Sequence, residues 1–147
     1  MKVFVDSDVV ISSLISSMGA AFKLMNSEYE VVKIISNISL KELKIVTTRL
    51  SIKKPLPHFS IQRIKNIEKY SIYSTDPNDA HIIAGAHKSE ARFLITYNMK
   101  HYKVELIKRN LDIIVITPGA FLQYLRSIVR IILRKYPAWP CRLWTCK

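Results

Sequence analysis

The hydrophobic positions of the chain fall into short runs rich in β-branched residues, separated by longer stretches in which apolar and polar residues mix. The short runs predict strands at Lys2–Val5, Glu30–Ile35, Arg92–Thr96 and Asp112–Thr117. The longer stretches predict helices at Val9–Met25, Ser39–Thr48, Ile61–Ile67, Pro77–Ala91 and from Pro118 to about Tyr136. Because strands and helices alternate, the pattern indicates an α/β fold with a mostly parallel sheet and helices on both faces.

Two of the helix starts carry local capping signals. Ser39 and Glu42 have the spacing of a capping box, in which each side chain satisfies a free backbone amide. Asp76 and Pro77 suit the N-cap and first helical positions, and Asp79 suits the third, where a carboxylate interacts favourably with the helix dipole. Capping alone is therefore one explanation for Asp76 and Asp79.

Polar side chains follow two of the predicted strands. Asp6 and Asp8 come directly after the first strand, and Thr96 and Asn98 end or follow the strand that begins at Arg92. Ligands of open α/β sheets bind beyond the carboxyl ends of the strands. We expect the functional site at this edge of the sheet.

Three acids, Asp6, Glu42 and Asp79, lie where an α/β fold would gather them. At a separation of about 5 Å each pair would repel by roughly 3 kcal/mol at an effective dielectric constant near 20. Three such pairs rival the whole stability of a domain, so the site must keep some acids protonated or bind a cation. Ligand sets made only of oxygen favour Mg²⁺ or Mn²⁺.

The composition points to a polyanionic partner. The 147 residues include 23 Lys and Arg but 11 Asp and Glu, which leaves a net charge of +12. Such a charge suits a polyanion, although it also serves solubility. The start lacks the pattern of a secretory signal and no apolar run is long enough to span a bilayer, so we expect a soluble, cytoplasmic protein that does not bind membranes.

Four motifs, VFVDSDVVISSLIS, ISLKELKIV, TDPNDAHIIAGA and FLITYNMKHY, occur in this order. Together they resemble a PIN domain, the metal-dependent ribonuclease fold of VapC-type bacterial and archaeal toxins, over about Met1 to Leu125. The resemblance implies a three-layer α/β/α PIN-like domain over residues 1–136, with a mostly parallel central sheet. Residues 137–147 would then form a tail to which no role is assigned.

The same resemblance implies roles for single residues. Asp6 and Asp79 would be the metal ligands for Mg²⁺ or Mn²⁺, Glu42 would complete the acidic cluster, and Thr96 would lie beside it. Asn98 stands where many members have Asp, and it could hold a metal-bound water through its amide oxygen. The catalytic set would thus be Asp6, Glu42, Asp79 and Asn98.

Two further positions near these motifs bear on the local charge. The residue three positions beyond Asn98 is His101 rather than an acid. Asp8 would either return one negative charge to the site or cap the following helix. The four histidines are predicted to be structural or exposed at the surface.

The predicted function is a metal-dependent endoribonuclease that cleaves RNA phosphodiester bonds, as the toxin of a toxin–antitoxin pair. An antitoxin protein and a second copy of the chain are expected as partners. One alternative is a catalytically silent PIN-like module that binds RNA or protein. The other is a phosphohydrolase of the haloacid-dehalogenase type, because DSDVV also resembles the Asp-x-Asp motif in which the first Asp is a nucleophile.

Overall fold

The computed structural model describes residues 1–27 and 29–135. Its strands are β1 (Lys2–Val5), β2 (Val32–Ser36), β3 (Ser60–Gln62), β4 (Phe93–Ile95) and β5 (Ile114–Ile116). Its α-helices are α1 (Ser7–Ile15), α2 (Ala20–Met25), α3 (Asn37–Arg49), α4 (Ala80–Lys88), α5 (Val104–Leu111) and α6 (Pro118–Lys135). Short 3-10 helices lie at Glu68–Tyr73, Pro77–Asp79 and Met99–His101.

The five strands of the described part form one parallel sheet in the spatial order β3-β2-β1-β4-β5. The predicted α/β class and mostly parallel sheet are confirmed. The strand order reverses at β1, and such a reversal opens a crevice beyond the carboxyl ends of the strands. Asp6 follows β1 and Thr96 follows its neighbour β4, so the two residues start from adjacent strand ends.

The sheet separates two hydrophobic cores, because successive side chains of a strand point to opposite faces. Phe4 and Leu94 pack on the face covered by α4 and α5, whereas Val3, Val5 and Phe93 pack on the other. That second face is covered by α1, α2, α3 and the first half of α6. The result is the predicted three-layer α/β/α arrangement.

Helix α4 lies so close to the sheet that one position has no room for a side chain. A Cβ atom at Gly85 would lie 2.9 Å from Ile64 Cδ1 and closer still to the ring of Phe4. Both neighbours are buried. The glycine therefore sets the distance between α4 and β1, and with it the position of the start of α4 over the end of the sheet.

The first predicted helix, Val9–Met25, is in fact two helices. α1 ends at Ile15, the chain is extended at Ser16, and Gly19 precedes α2. Serine and glycine are weak helix formers, so a break here costs little, and it lets α2 fold back against α1.

The prediction of a helix over Ile61–Ile67 is wrong. Residues 60–62 instead pair with β2 as the edge strand β3, and the Ile64 amide donates to Asn37 Oδ1 at 2.9 Å. Isoleucines three residues apart fit a helical face, but pairing with the neighbouring strand overrides that local pattern.

The remaining boundaries move by a few residues. α3 begins after Ser36, whose Oγ accepts from the Ser39 amide, so Ser36 rather than Ser39 is its N-cap. The predicted helix Pro77–Ala91 starts as a 3-10 turn and ends as α4 at Lys88. The hydrophobic pattern did not predict α5.

The last helix begins at Pro118 as predicted and is described to Lys135. Tyr136 and the predicted tail 137–147 lie outside the described residues. In the described part of the chain, no helix combines the length and the apolar character needed to cross a bilayer.

Candidate active site

Asp6 lies at the end of the central strand and is 5% exposed. It is the N-cap residue of α1, yet its carboxylate makes no side-chain capping bond. Instead, Oδ2 accepts from Thr96 Oγ1 and from Tyr102 Oη, both at 2.9 Å. The pKa of Asp6 is raised, chiefly because the carboxylate is buried. The bonds from Thr96 and Tyr102 lower this pKa in part, and the nearby charge of Asp79 adds to the rise.

Asp8 lies in the first turn of α1, and its carboxylate reaches across to the end of β4. Oδ2 accepts from the Tyr97 amide at 3.0 Å and lies 3.3 Å from Thr96 Oγ1. Burial, followed by the charge of Asp6, raises the pKa of Asp8 to about 6. Two carboxylates therefore share one threonine hydroxyl, which can give its proton to only one of them at a time.

A short pairing of two loops brings Asp79 to the same edge of the sheet. Ser74 and Tyr102 form an antiparallel bridge, and the carbonyl oxygen of His101 accepts from the Thr75 amide at 2.8 Å. The chain then enters the Pro77–Asp79 turn, where Asp76 Oδ1 accepts from the Asn78 amide as the predicted N-cap. This pairing holds the start of α4 beside the loop that follows β4.

The side chains of Asp76, Asp79 and His101 meet at this junction. Each offers a ligand atom, and these atoms lie within 4.8 Å of one another. Asp79 Oδ2 is 2.8 Å from His101 Nδ1, and the side-chain nitrogen Nδ2 of Asn98 lies 2.9 Å from the same ring atom. Within the described residues, this is the group of acidic and histidine side chains close enough to share a metal ion.

The loop after β4 connects the two acidic positions. Thr96 Oγ1 contacts Asp6 and accepts a hydrogen bond from the backbone amide of Asn98 at 2.9 Å. The Asn98 side chain then contacts His101, which contacts Asp79. A continuous polar path therefore runs from Asp6 to Asp79 through residues of a single loop.

Glu42 reaches the site from α3 through a histidine. Its Oε1 lies 3.5 Å from His81 Nε2, and Nδ1 of that ring lies 3.2 Å from Ser36 Oγ. His81 is 3% exposed, whereas the Glu42 side chain is 47% exposed. The buried ring thus links Glu42 to the first turn of α4, two residues after Asp79.

The structure brings together most of the residues predicted from the sequence. Asp6, Thr96, Asn98 and Asp79 are linked through the loop after β4, whereas Asp6 and Glu42 lie outside the group of ligand atoms formed by Asp76, Asp79 and His101. His101 was expected to be structural or exposed, but it contacts Asp79 directly. Its place three residues after Asn98, where an acid was expected, was the signal that could have identified it.

The comparisons with known proteins agree with this geometry. A family model described as PIN domain matches residues 2–100. The chain belongs to the PIN domain family. The match includes Asp6, Glu42, Asp79 and Asn98 but stops one residue before His101.

Solved structures support the PIN fold, and no curated protein matched the chain. One similar chain occurs in the crystal structure of VapBC2 from Rickettsia felis bound to a DNA fragment from their promoter. The TM-score is 0.54 at 17% identity, and the match covers 80% of this chain and 98% of that one. At this identity the likeness concerns the fold.

The donor atoms of this PIN domain suit a small divalent cation. Asp8 Oδ1 is buried and has no hydrogen-bond partner among the described residues. Leaving a buried charged oxygen without a partner is costly, and Asp6 is close enough to Asp79 to sense its charge. Oxygen-rich sites of this kind hold Mg²⁺ or Mn²⁺, so the residues present fit the metal that the family resemblance implies.

Basic side chains flank the acidic edge. Lys100 lies in the turn that carries His101, Lys103 follows Tyr102, and Lys41 precedes Glu42, and all three are exposed. On α6, Arg126, Arg130 and Arg134 recur every four residues, and all three are also exposed. Positive charge is therefore available both beside the site and on the last helix.

Proposed function

We propose that this PIN domain is a metal-dependent endoribonuclease that cleaves single-stranded RNA. The observation that carries the proposal is the buried carboxylate of Asp6 at the end of β1, joined by the loop after β4 to Asp79 at the start of α4. A soluble domain gains no stability from collecting acids in this way, because burial and mutual repulsion both disfavour their charged forms. Binding a cation and a phosphate explains the arrangement.

Asp6 and Asp79 would hold Mg²⁺ or Mn²⁺. A bound ion of this kind lowers the pKa of water and offsets charge that develops on phosphate oxygens. Thr96 and Tyr102 orient the Asp6 carboxylate by donating to Oδ2, and these two bonds oppose the rise in its pKa that burial causes. Glu42, whose Oε1 lies 3.5 Å from His81 in the first turn of α4, would accept a proton from an attacking water.

RNA would approach over the basic side chains beside the acids. Lys100 and Lys103 are exposed next to His101 and Tyr102, and ammonium groups there would contact backbone phosphates on either side of the scissile bond. Tyr97 is 45% exposed directly after Thr96, and an aromatic ring in that place offers a stacking surface for a base.

We also propose that the protein acts as the toxin of a toxin–antitoxin pair. The similar chain of the Rickettsia felis VapBC2 structure occurs in a complex with promoter DNA. By analogy, an antitoxin protein would cover this site, and a second copy of the chain would complete a homodimer. Both expectations can be tested by copurification with the product of an adjacent small gene and by measuring the mass of the complex.

The decisive experiment is cleavage of a labelled single-stranded RNA with added Mn²⁺, added Mg²⁺ or chelator. Asp6→Asn and Asp79→Asn should each abolish cleavage, because each loses a charged ligand while Asn retains similar volume. Asp112→Asn is the matched control, because Asp112 is exposed and has the left-handed backbone conformation that Asn also tolerates. RNA cleavage that persists in chelator and in the Asp79→Asn variant would contradict the proposal.

The same assay separates the alternatives. A silent binding module, which the absence of an acid at Asn98 and His101 favours, would bind RNA but leave it intact under every metal condition. A phosphohydrolase would instead release inorganic phosphate from small phosphate monoesters and leave internal phosphodiester bonds uncut.

A further inference from the structure

We propose that His101 is a nitrogen ligand of the bound ion and that it makes this site select Mn²⁺ over Mg²⁺. The inference rests on the proposed metal site and extends it, because the sequence-based ligand set contained only Asp6 and Asp79. It concerns the position at which an acid was expected and an imidazole is found.

The geometry of His101 matches that of a metal ligand. Nδ1 lies 2.8 Å from Asp79 Oδ2, and two ligand atoms at about 2.1 Å from one ion and about 90° apart lie about 3 Å from each other. Asp76 supplies a third atom within 4.8 Å of both. The backbone of His101 is fixed independently, since its carbonyl accepts from the Thr75 amide and from Ser74 Oγ.

One neighbour of Nδ1 can donate a hydrogen bond to it, and the other can only accept one. The Asn98 side-chain nitrogen faces Nδ1 at 2.9 Å and Asp79 Oδ2 faces it at 2.8 Å, so the partner of Nδ1 depends on whether this atom carries the ring proton. When the ring proton is on Nε2, the Nδ1 lone pair and the Asp79 carboxylate can both bind one cation. The competing arrangement is a proton on Nδ1, which would join His101 and Asp79 in a plain ion pair with the Asn98 amide turned round.

Replacing a carboxylate by an imidazole changes the choice of ion. Mg²⁺ demands oxygen ligands and gives up its waters reluctantly, whereas first-row transition ions accept imidazole nitrogen readily. Loss of one negative charge weakens the binding of either ion, but the nitrogen returns part of that affinity only to Mn²⁺. The ratio of the two dissociation constants therefore shifts toward Mn²⁺.

The test measures the ion directly. Metal-free full-length protein is titrated with Mn²⁺ and followed by electron paramagnetic resonance, and Mg²⁺ is then added as a competitor. Pulsed measurements on the Mn²⁺ form report whether a nitrogen is bound to the ion, and protein labelled with ¹⁵N-histidine assigns that nitrogen to an imidazole. His101→Asp restores the expected acid, and His58→Asp is the control, since it makes the same chemical change in the loop before β3.

We expect directly bound histidine nitrogen in the unchanged protein and in His58→Asp, and none in His101→Asp. We also expect the preference for Mn²⁺ over Mg²⁺ to fall by about tenfold in His101→Asp and to stay constant in His58→Asp. Mn²⁺ bound by oxygen alone in the unchanged protein would overturn the proposal and favour the plain ion pair. This readout needs no variant, so a failure of His101→Asp to fold does not affect it.

RNA cleavage measured on the same preparations separates this proposal from the proposed function. Histidine nitrogen bound to Mn²⁺ in a protein that does not cleave RNA would support the role of His101 and contradict the proposed ribonuclease activity. Cleavage with an ion held by oxygen alone removes only the role of His101. An absence of Mn²⁺ binding overturns the role of His101 and the metal dependence together.

Discussion

Tyr102 Oη donates a hydrogen bond of 2.9 Å to Asp6 Oδ2, although 96 positions separate the two residues in the sequence. Burial and the charges of Asp6 and Asp79 raise the pKa of the phenol, so it stays a donor across the physiological range. Tyr102→Phe should destabilise the fold by about 1–3 kcal/mol, because the buried carboxylate loses one of its donors. It should also weaken Mn²⁺ binding more at pH 6 than at pH 8, since the pKa of Asp6 rises further when this bond is lost.

Urea unfolding and Mn²⁺ titration at the two pH values check this prediction. Tyr73→Phe is the control, because Tyr73 is a buried tyrosine whose hydroxyl contacts Asn110 at 3.5 Å rather than an acid. Equal changes in the pH dependence of metal binding for both variants would contradict the assigned role of Tyr102.

Asp8 should make the metal-free protein less stable as the pH rises. Its pKa is about 6 in the folded chain against an ordinary value of 3.8. The folded state therefore binds a proton more tightly, and its free energy of unfolding falls between about pH 4 and pH 6. Asp8→Asn should remove about 1–2 kcal/mol of this loss. Unfolding curves in chelator across that range measure it, with Asp112→Asn as the exposed control, and parallel curves for Asp8→Asn and the unchanged protein would refute it.

RNA should bind at the acidic edge rather than along α6. Exchanging Lys100 and Lys103 for Gln should reduce the slope of log Kd against log salt by about 1.4, the value for two phosphate contacts on a single strand. Exchanging Arg126 and Arg130 for Gln removes the same charge from the last helix and should leave the slope nearly unchanged. Binding assays in chelator over a salt series compare the two, and the opposite ranking would move the RNA to α6.

Gly85→Ala should destabilise the fold by about 1–3 kcal/mol through overpacking. The new methyl group would collide with the buried Phe4 ring and with Ile64. Gly119→Ala is the control, because a Cβ there would lie 4.0 Å from Ala20 Cβ, an ordinary contact distance, and Ala favours a helix. Urea unfolding at one pH distinguishes them, and equal midpoints would show that α4 can move away from the sheet.

The sequence by itself determined the fold class and most of the edge on which the site lies. Buried strands such as Lys2–Val5 can be predicted from runs of β-branched residues, and polar residues directly after them mark the carboxyl ends of the strands. Asp76 was predicted as an N-cap because capping depends on neighbours two or three residues away, and the structure confirms it. These features depend on local chemistry, which a linear pattern records.

Only the tertiary structure decided which side chains meet. Residues 60–62 became a strand because β2 offered its edge, and His101 came to Asp79 because residues 73–75 pair with the loop after β4. The same pairing placed Tyr102 against Asp6. Contacts between residues 22 to 96 positions apart depend on how the chain closes its loops, and no periodicity within a short window encodes that closure.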